Sequence, residues 1–242
     1  MVTHARPAGD RPDGVDVAAA AADLESADAL DILRWAASRF GRLTFATGFG
    51  AEGCVVIDLI ARNRLPIDLF TLDTGVLFPE TYALWRALEQ RYGITIRAVT
   101  PELTIPAQAL LHGPRLWERD PDACCELRKI VPLRNELLRH DAWITALRRD
   151  QTPERATARV VEHDCKFGLV KVNPLVRWTH DDVWAHVYAN DVPVNALHDQ
   201  GYPSIGGQPC TSAVKDDEAP RAGRWRGSTK RECGLHVAKD GR

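Results

Sequence analysis

Residues 43–99 constrain the fold more tightly than any other stretch. LTFAT at 43–47 is a short apolar run, and GFGAEG at 48–53 is a glycine-rich turn. Residues 54–62 return with helical spacing. A second apolar run, IDLFTL at 67–72, ends on Asp73-Thr74-Gly75. Pro79 and Glu80 open a helix to about residue 92, and ITIRAV at 94–99 is the third run. Strands alternating with helices predict an α/β fold, a mostly parallel sheet with helices on both faces and right-handed crossovers. Ligands of such sheets bind beyond the carboxyl ends of the strands. Both special turns fall there.

The remaining chain extends the pattern. Residues 24–40 have helical spacing closed by Gly41, and 103–139 read as helical pieces broken at Gly113-Pro114 and Pro121. AWITAL at 142–147 predicts a fourth strand, LVKVNPL at 169–175 another, and 180–191 an amphipathic helix. Periodicity fades after Asn195. The predicted organisation is a flexible arm over 1–23, an α/β domain over 24–199, and a C-terminal segment with a mobile tail over 200–242. The net charge of −2 gives no general attraction to nucleic acid. No apolar run approaches the roughly 20 residues that span a bilayer. The N-terminal stretch lacks a basic start followed by an apolar segment, so no secretory signal is expected. A cytoplasmic location follows as the expectation. In that setting the six cysteines predict metal binding or thiol chemistry rather than a disulfide framework. Cys54, within CVVIDLI, reads as a small buried hydrophobe.

Five constellations carry chemistry. Thr47, Gly48, Phe49, Gly50 and Glu52 form a turn whose N–H groups and following helix suit an oxyanion; a tight turn without ligand is the alternative. Leu72, Asp73, Thr74 and Gly75 form a second strand-end turn, fit for a ribose or base. Cys124 and Cys125 are adjacent, and a disulfide between neighbours is strained. A soft metal or iron–sulfur cluster is their natural role, with Cys210 as the obvious partner. Arg148 and Arg149 stand at the end of the fourth strand, where guanidinium forks suit phosphate or sulfate. Arg221, Arg224, Arg226, Lys230 and Arg231 precede Cys233, and neighbouring cations favour a thiolate. His236 is a base, an anion contact or simply exposed.

Together TGFGAEG, LDTGVLFPET, CCELRKIVPL, WITALRRDQ, KVNPL, YPSIGGQPCT, RAGRW and ECGLH resemble the sulfonucleotide reductases, over roughly residues 24–236. These thioredoxin-dependent enzymes act on adenylyl sulfate or phosphoadenylyl sulfate. The resemblance implies the adenine-nucleotide α-hydrolase-like fold and nucleotide binding by the turns at 47–52 and 72–75. It implies phosphate and sulfate contacts from Lys129, Arg148, Arg149, Arg221 and Arg224. Cys233 would be the nucleophile, with His236 beside it. The implied reaction reduces adenylyl sulfate to sulfite and AMP, through a thiosulfonate on Cys233 that thioredoxin resolves. Neither nucleic acid nor membrane is an expected partner, and a homo-oligomer is compatible with the family.

The adenylyl-sulfate branch usually carries a [4Fe–4S] cluster on two cysteine pairs. Here Cys124, Cys125 and Cys210 match, but Gly207 stands in place of the third ligand. Three readings stay open: a cluster with a non-cysteine fourth ligand, Cys165 as substitute, or no cluster. Retention of the Cys124-Cys125 pair favours adenylyl sulfate over phosphoadenylyl sulfate. Gly53 and Ala146 also depart from the family pattern, which usually has an acidic residue and a glycine there. Three rivals remain: a nucleotide-dependent ligase or sulfurtransferase, though the SGGxDS loop is missing; a non-catalytic redox or metal sensor, with Gly207 as its best support; and a zinc module on the three cysteines.

Overall fold

The computed structural model of the chain describes residues 14–230 and 232–235. Six strands form one sheet: β1 (Leu43–Thr47), β2 (Asp68–Leu72), β3 (Arg97–Val99), β4 (Ala142–Ile144), β5 (Val161–Asp164) and β6 (Leu169–Val172). Their spatial order is β3-β2-β1-β4-β6-β5. Every pairing is parallel except β5 with β6. The chain runs outward from β1 through β2 to β3, then returns to place β4 on the other side of β1. The topology therefore switches between β1 and β4, where such a sheet opens a crevice beyond its carboxyl ends. This is the predicted adenine-nucleotide α-hydrolase-like parallel sheet.

Alternating side chains divide the core between two faces. Phe45, Leu69, Ile144 and Val172 face one side, against α2 (Ala29–Arg39), α3 (Ala51–Arg62), α4 (Pro79–Tyr92) and α9 (His180–Asn190). Phe70, Trp143 and Leu169 face the other, against Leu133 and Leu137 of α8 (Val131–Leu137). The β1–α3 turn is anchored from within. Phe49 takes a left-handed φ of 58°, donates its N–H to the Thr47 hydroxyl (3.1 Å) and stacks on Trp85 at 5.6 Å. Gly53 keeps that turn tight, since a Cβ there would lie 2.9 Å from Thr47 Oγ1. A larger side chain at this position would require the Thr47 hydroxyl to shift.

Between β3 and β4 the chain forms α5 (Ile105–His112), α6 (Leu116–Arg119) and α7 (Pro121–Cys125), breaking at Gly113-Pro114 and Pro121 as expected. A π-helical turn, Glu126–Ile130, then leads into α8. Pro132 has no N–H to return to the Arg128 carbonyl, and the widened turn absorbs that missing bond.

The predicted arm over 1–23 needs correction. Val17–Asp23 is helix α1, because Asp16 accepts N–H bonds from Ala18 and Ala19 (both 3.0 Å). The alanine run favours helix, and Ala21 is buried. Residues 1–13 of that arm lie outside the described residues. The first predicted helix begins at Ala29 rather than at residue 24. Strands expected at 94–99, 142–147 and 169–175 end or begin short, at 97–99, 142–144 and 169–172. β5 gave no sequence signal because VEHD is short and polar, and its one strand partner is the antiparallel β6. No helix of the described residues is long and apolar enough to cross a membrane.

Phe45 is fully buried in the middle of β1. Phe45→Ala is expected to lower stability by about 3–5 kcal/mol. Urea unfolding checks this as a fall in midpoint with an unchanged slope.

Candidate active site

Two cavities open at the carboxyl end of the sheet and share one wall. The first is lined by Thr47, Gly48, Phe49, Leu72 and Thr74 from the two strand-end turns. Lys129, Arg155, Arg221, Arg224 and Cys233 close it, and Leu133, Trp143 and Leu235 make its apolar side. The second lies over the β1–β4 switch, against Gly48, Gly50, Glu52, Ala146, Arg148 and Asp150. Arg155, Arg221 and Arg224 line both. Gly48 is also common to the two, and a Cβ there would meet open space. The Ala146 methyl therefore narrows only the second cavity.

Each cation is held by a different device. Lys129 follows Arg128 on the π turn, and the two point apart. Arg128 is buried, donating to Thr74 O (2.5 Å), Leu103 O (3.1 Å) and Gln108 Oε1 (2.9 Å). It braces the Leu72–Gly75 turn from behind, while Lys129 reaches the cavity. Arg224 is buried against Trp225, 4.6 Å over its ring, and donates weakly to Ser204 Oγ and the Ile205 carbonyl. Its Nε has no partner among the described residues. Gly206 makes room for this guanidinium, since a Cβ there would overlap it. Burial holds Arg221 and Arg224 below the usual arginine range. Cys233 shares the first cavity with Lys129, Arg155, Arg221 and Arg224.

Not every predicted residue reaches the cavities. Asp73 turns inward, accepting from Gly75 N–H (3.0 Å) and from the Tyr82 hydroxyl (2.6 Å). Burial and this bond to Asp73 push the Tyr82 phenol up to about 12. Gly75, at φ 70°, faces Arg128 rather than the cavity. Arg149 points away, clamped to Glu25 through Nη1 (2.6 Å) and Nη2 (3.1 Å) and donating to Ala158 O. Arg148 does face the second cavity, but Glu52 (3.0 Å) and Asp150 already neutralise it. His236 lies outside the described residues. Arg155, which lines both cavities, carried no sequence signal, because nothing in TPERAT marks one surface-type arginine from another.

The three matched cysteines lie on two short helical elements. Cys124 and Cys125 end α7, and Cys210 closes the 3-10 turn Gln208–Cys210. Burial, then Cys125 and Cys210, push the Cys124 thiol up to about 11. Burial and Cys125 raise Cys210, while Lys129 and Arg224 oppose this. Gly207 begins the same 3-10 turn, its carbonyl accepting Cys210 N–H (2.9 Å). It offers no side-chain donor at the place of the third ligand. Cys165 is exposed on the β5–β6 turn, at the amino end of β6, with its thiol against the His163 carbonyl (3.8 Å). The residues present do not fit a four-cysteine cluster.

Comparison with known proteins agrees with this geometry. Residues 42–213 match the family described as the phosphoadenosine phosphosulfate reductase domain. The adenosine 5'-phosphosulfate reductase of Halalkalibacterium halodurans is 47% identical over 215 residues, covering 88% of this chain and 93% of that protein. Adenosine 5'-phosphosulfate reductase 1 of Bacillus subtilis is 49% identical over 210 residues, with 86% and 90% covered. Among solved structures, the phosphoadenylyl-sulfate reductase of Candida auris in its phosphate complex superposes with a TM-score of 0.73. It is 33% identical, and the match covers 82% of this chain and 96% of that one.

A Cβ at position 207 would lie 3.3 Å from the Val76 carbonyl oxygen and 3.4 Å from Val76 Cγ2, so a cysteine there needs Val76 to give by a few tenths of an ångström. Anaerobic reconstitution with iron and sulfide is expected to leave the native chain below four irons. Gly207→Cys is expected to raise the content to four with a stronger visible band. An iron count on both proteins checks it.

Proposed function

Because this chain belongs to the phosphoadenosine phosphosulfate reductase domain family, we propose that it reduces adenylyl sulfate to sulfite and AMP in sulfate assimilation. The observation that carries this reading is the place of Cys233, on the wall of a cavity lined by Lys129, Arg155, Arg221 and Arg224. A sulfur nucleophile beside a cluster of cations is what transfer of an anionic sulfonyl group requires.

The nucleoside lies in the apolar half of the first cavity, between the backbone of Gly48 and Leu72 and the side chains of Leu133 and Trp143. Its phosphosulfate faces the arginines that both cavities share. The Cys233 thiolate attacks the sulfur of the anhydride. A sulfur–sulfur bond forms, the bond from sulfur to the bridging oxygen breaks, and AMP leaves with the electron pair. Guanidiniums on the phosphate stabilise the charge that develops there.

The resulting thiosulfonate is resolved by a dithiol protein of the thioredoxin type. One thiolate attacks Cys233 Sγ and expels sulfite, and the second thiol opens the mixed disulfide. Two electrons pass from the dithiol to sulfur. Free thiols at all six cysteines suit a reducing cytoplasm. Cys124, Cys125 and Cys210 are the residues to hold an iron–sulfur group beside Arg224, and no step above passes through it.

Adenylyl sulfate is preferred over phosphoadenylyl sulfate on two grounds. The relatives at 47–49% identity are named for the former, and the phosphoadenylyl-sulfate reductase is less similar, at 33%. Moreover, the adjacent Cys124-Cys125 pair is kept, which the resemblance ties to the adenylyl-sulfate branch.

Incubation with adenylyl sulfate without reductant is expected to add one SO3 to the tail peptide, read by mass spectrometry. Cys233→Ser is expected to abolish both the adduct and sulfite release. An unmodified peptide from the native chain would overturn the proposal.

A further inference from the structure

The strip 232–235 carries the nucleophile, and three contacts dock it. Glu232 accepts from Arg155 Nε (3.1 Å) and Nη2 (2.9 Å), from Arg221 Nη2 (3.2 Å), and more distantly from the Thr152 hydroxyl (3.5 Å). Lys166 donates its ammonium to the Gly234 carbonyl. Leu235 packs on the cluster of Phe70, Leu133, Leu137, Trp143 and Leu169. Gly234 turns the strip between these anchors at φ 80°, a conformation that favours glycine.

The Glu232 contact differs in kind from the other two. The Arg155 and Glu232 side chains are only 7% and 11% exposed. Surface ion pairs contribute little, but a desolvated pair that loses one partner leaves an uncompensated charge. Both guanidiniums also line the two cavities, and Arg155 donates its remaining Nη1 to Gln151 Oε1, so the carboxylate holds both arginines from the tail side. Glu232 precedes Cys233 directly, and consecutive Cα atoms lie about 3.8 Å apart. Where the carboxylate is fixed, the nucleophile is fixed to within the swing of one residue.

We propose that Glu232 is the positioning residue of this site: clamped by Arg155 and Arg221, its carboxylate sets where the Cys233 sulfur stands above the bound anion. The inference rests on thiol transfer at Cys233 and adds the device that aims it. Glu232 does not touch substrate. It shares the two arginines with the substrate's oxyanions, so binding and chemistry respond to it in opposite senses.

Glu232→Gln keeps the shape and removes the charge. At saturating adenylyl sulfate, the rate constant for S-sulfonation of Cys233 is expected to fall roughly 10- to 100-fold, the scale of a displacement near 1 Å. Affinity for AMP, measured by calorimetry, is expected to hold or tighten, since an internal competitor for Arg155 and Arg221 is weakened. Amide exchange over 232–235 is expected to rise while the sheet stays protected. Glu232→Asp, one methylene short of the clamp, is expected to fall between the two in rate. An unchanged sulfonation rate would overturn the inference. So would AMP binding that weakens in step with the rate, or exchange that does not move. If the native chain itself forms no S-sulfonate, thiol transfer fails instead, while exchange and AMP binding still decide whether Glu232 docks the tail.

Discussion

The site is organised by the need to compensate guanidinium groups taken out of water. An unpaired buried cation costs several kcal/mol, so every arginine drawn to the carboxyl end of this sheet fixes something else. Arg128 fixes the Leu72–Gly75 turn through the Thr74 carbonyl. Arg148 ties the β4 end to α3 through Glu52, with Gln151 Nε2 on the same carboxylate at 3.0 Å. Arg155 and Arg221 hold the C-terminal strip through Glu232. Arg224 is the least satisfied of the set, with an aromatic face, two long contacts and an idle Nε. The gradient runs from fully braced to underbraced, and it points at the shared wall of the two cavities.

The cysteines follow a related logic. Lys129, Arg224 and Gly207 line the first cavity, and Gly207 also opens the turn that carries Cys210.

Much of this architecture was legible in the sequence because it is local. The strand–turn–helix alternation, the glycine turns and the breaks at Gly113-Pro114 and Pro121 depend on backbone sterics and short-range periodicity. Cys124, Cys125, Cys210, Lys129, Arg221 and Arg224 were also legible, since rare residue pairs and cation-rich runs carry compositional information. The errors lay where long-range pairing decides. Arg148 and Arg149 are neighbours of one type, yet one faces the second cavity and the other meets Glu25, 124 residues earlier. Asp73 looked like a ribose ligand and is spent on Tyr82 and its own turn.

The sequence by itself determined a parallel sheet with functional turns at its carboxyl end, and a thiol near the chain's end among cations. Periodicity, turn chemistry and composition act over a few residues, so one dimension suffices to read them. Only the tertiary structure decided which cations face the cavities, that Arg155 joins them, and that Glu232 beside Cys233 pairs with Arg155 and Arg221. Those outcomes depend on which charges meet after the chain has crossed the sheet, when desolvation makes each buried ion take whatever partner the topology has brought within reach.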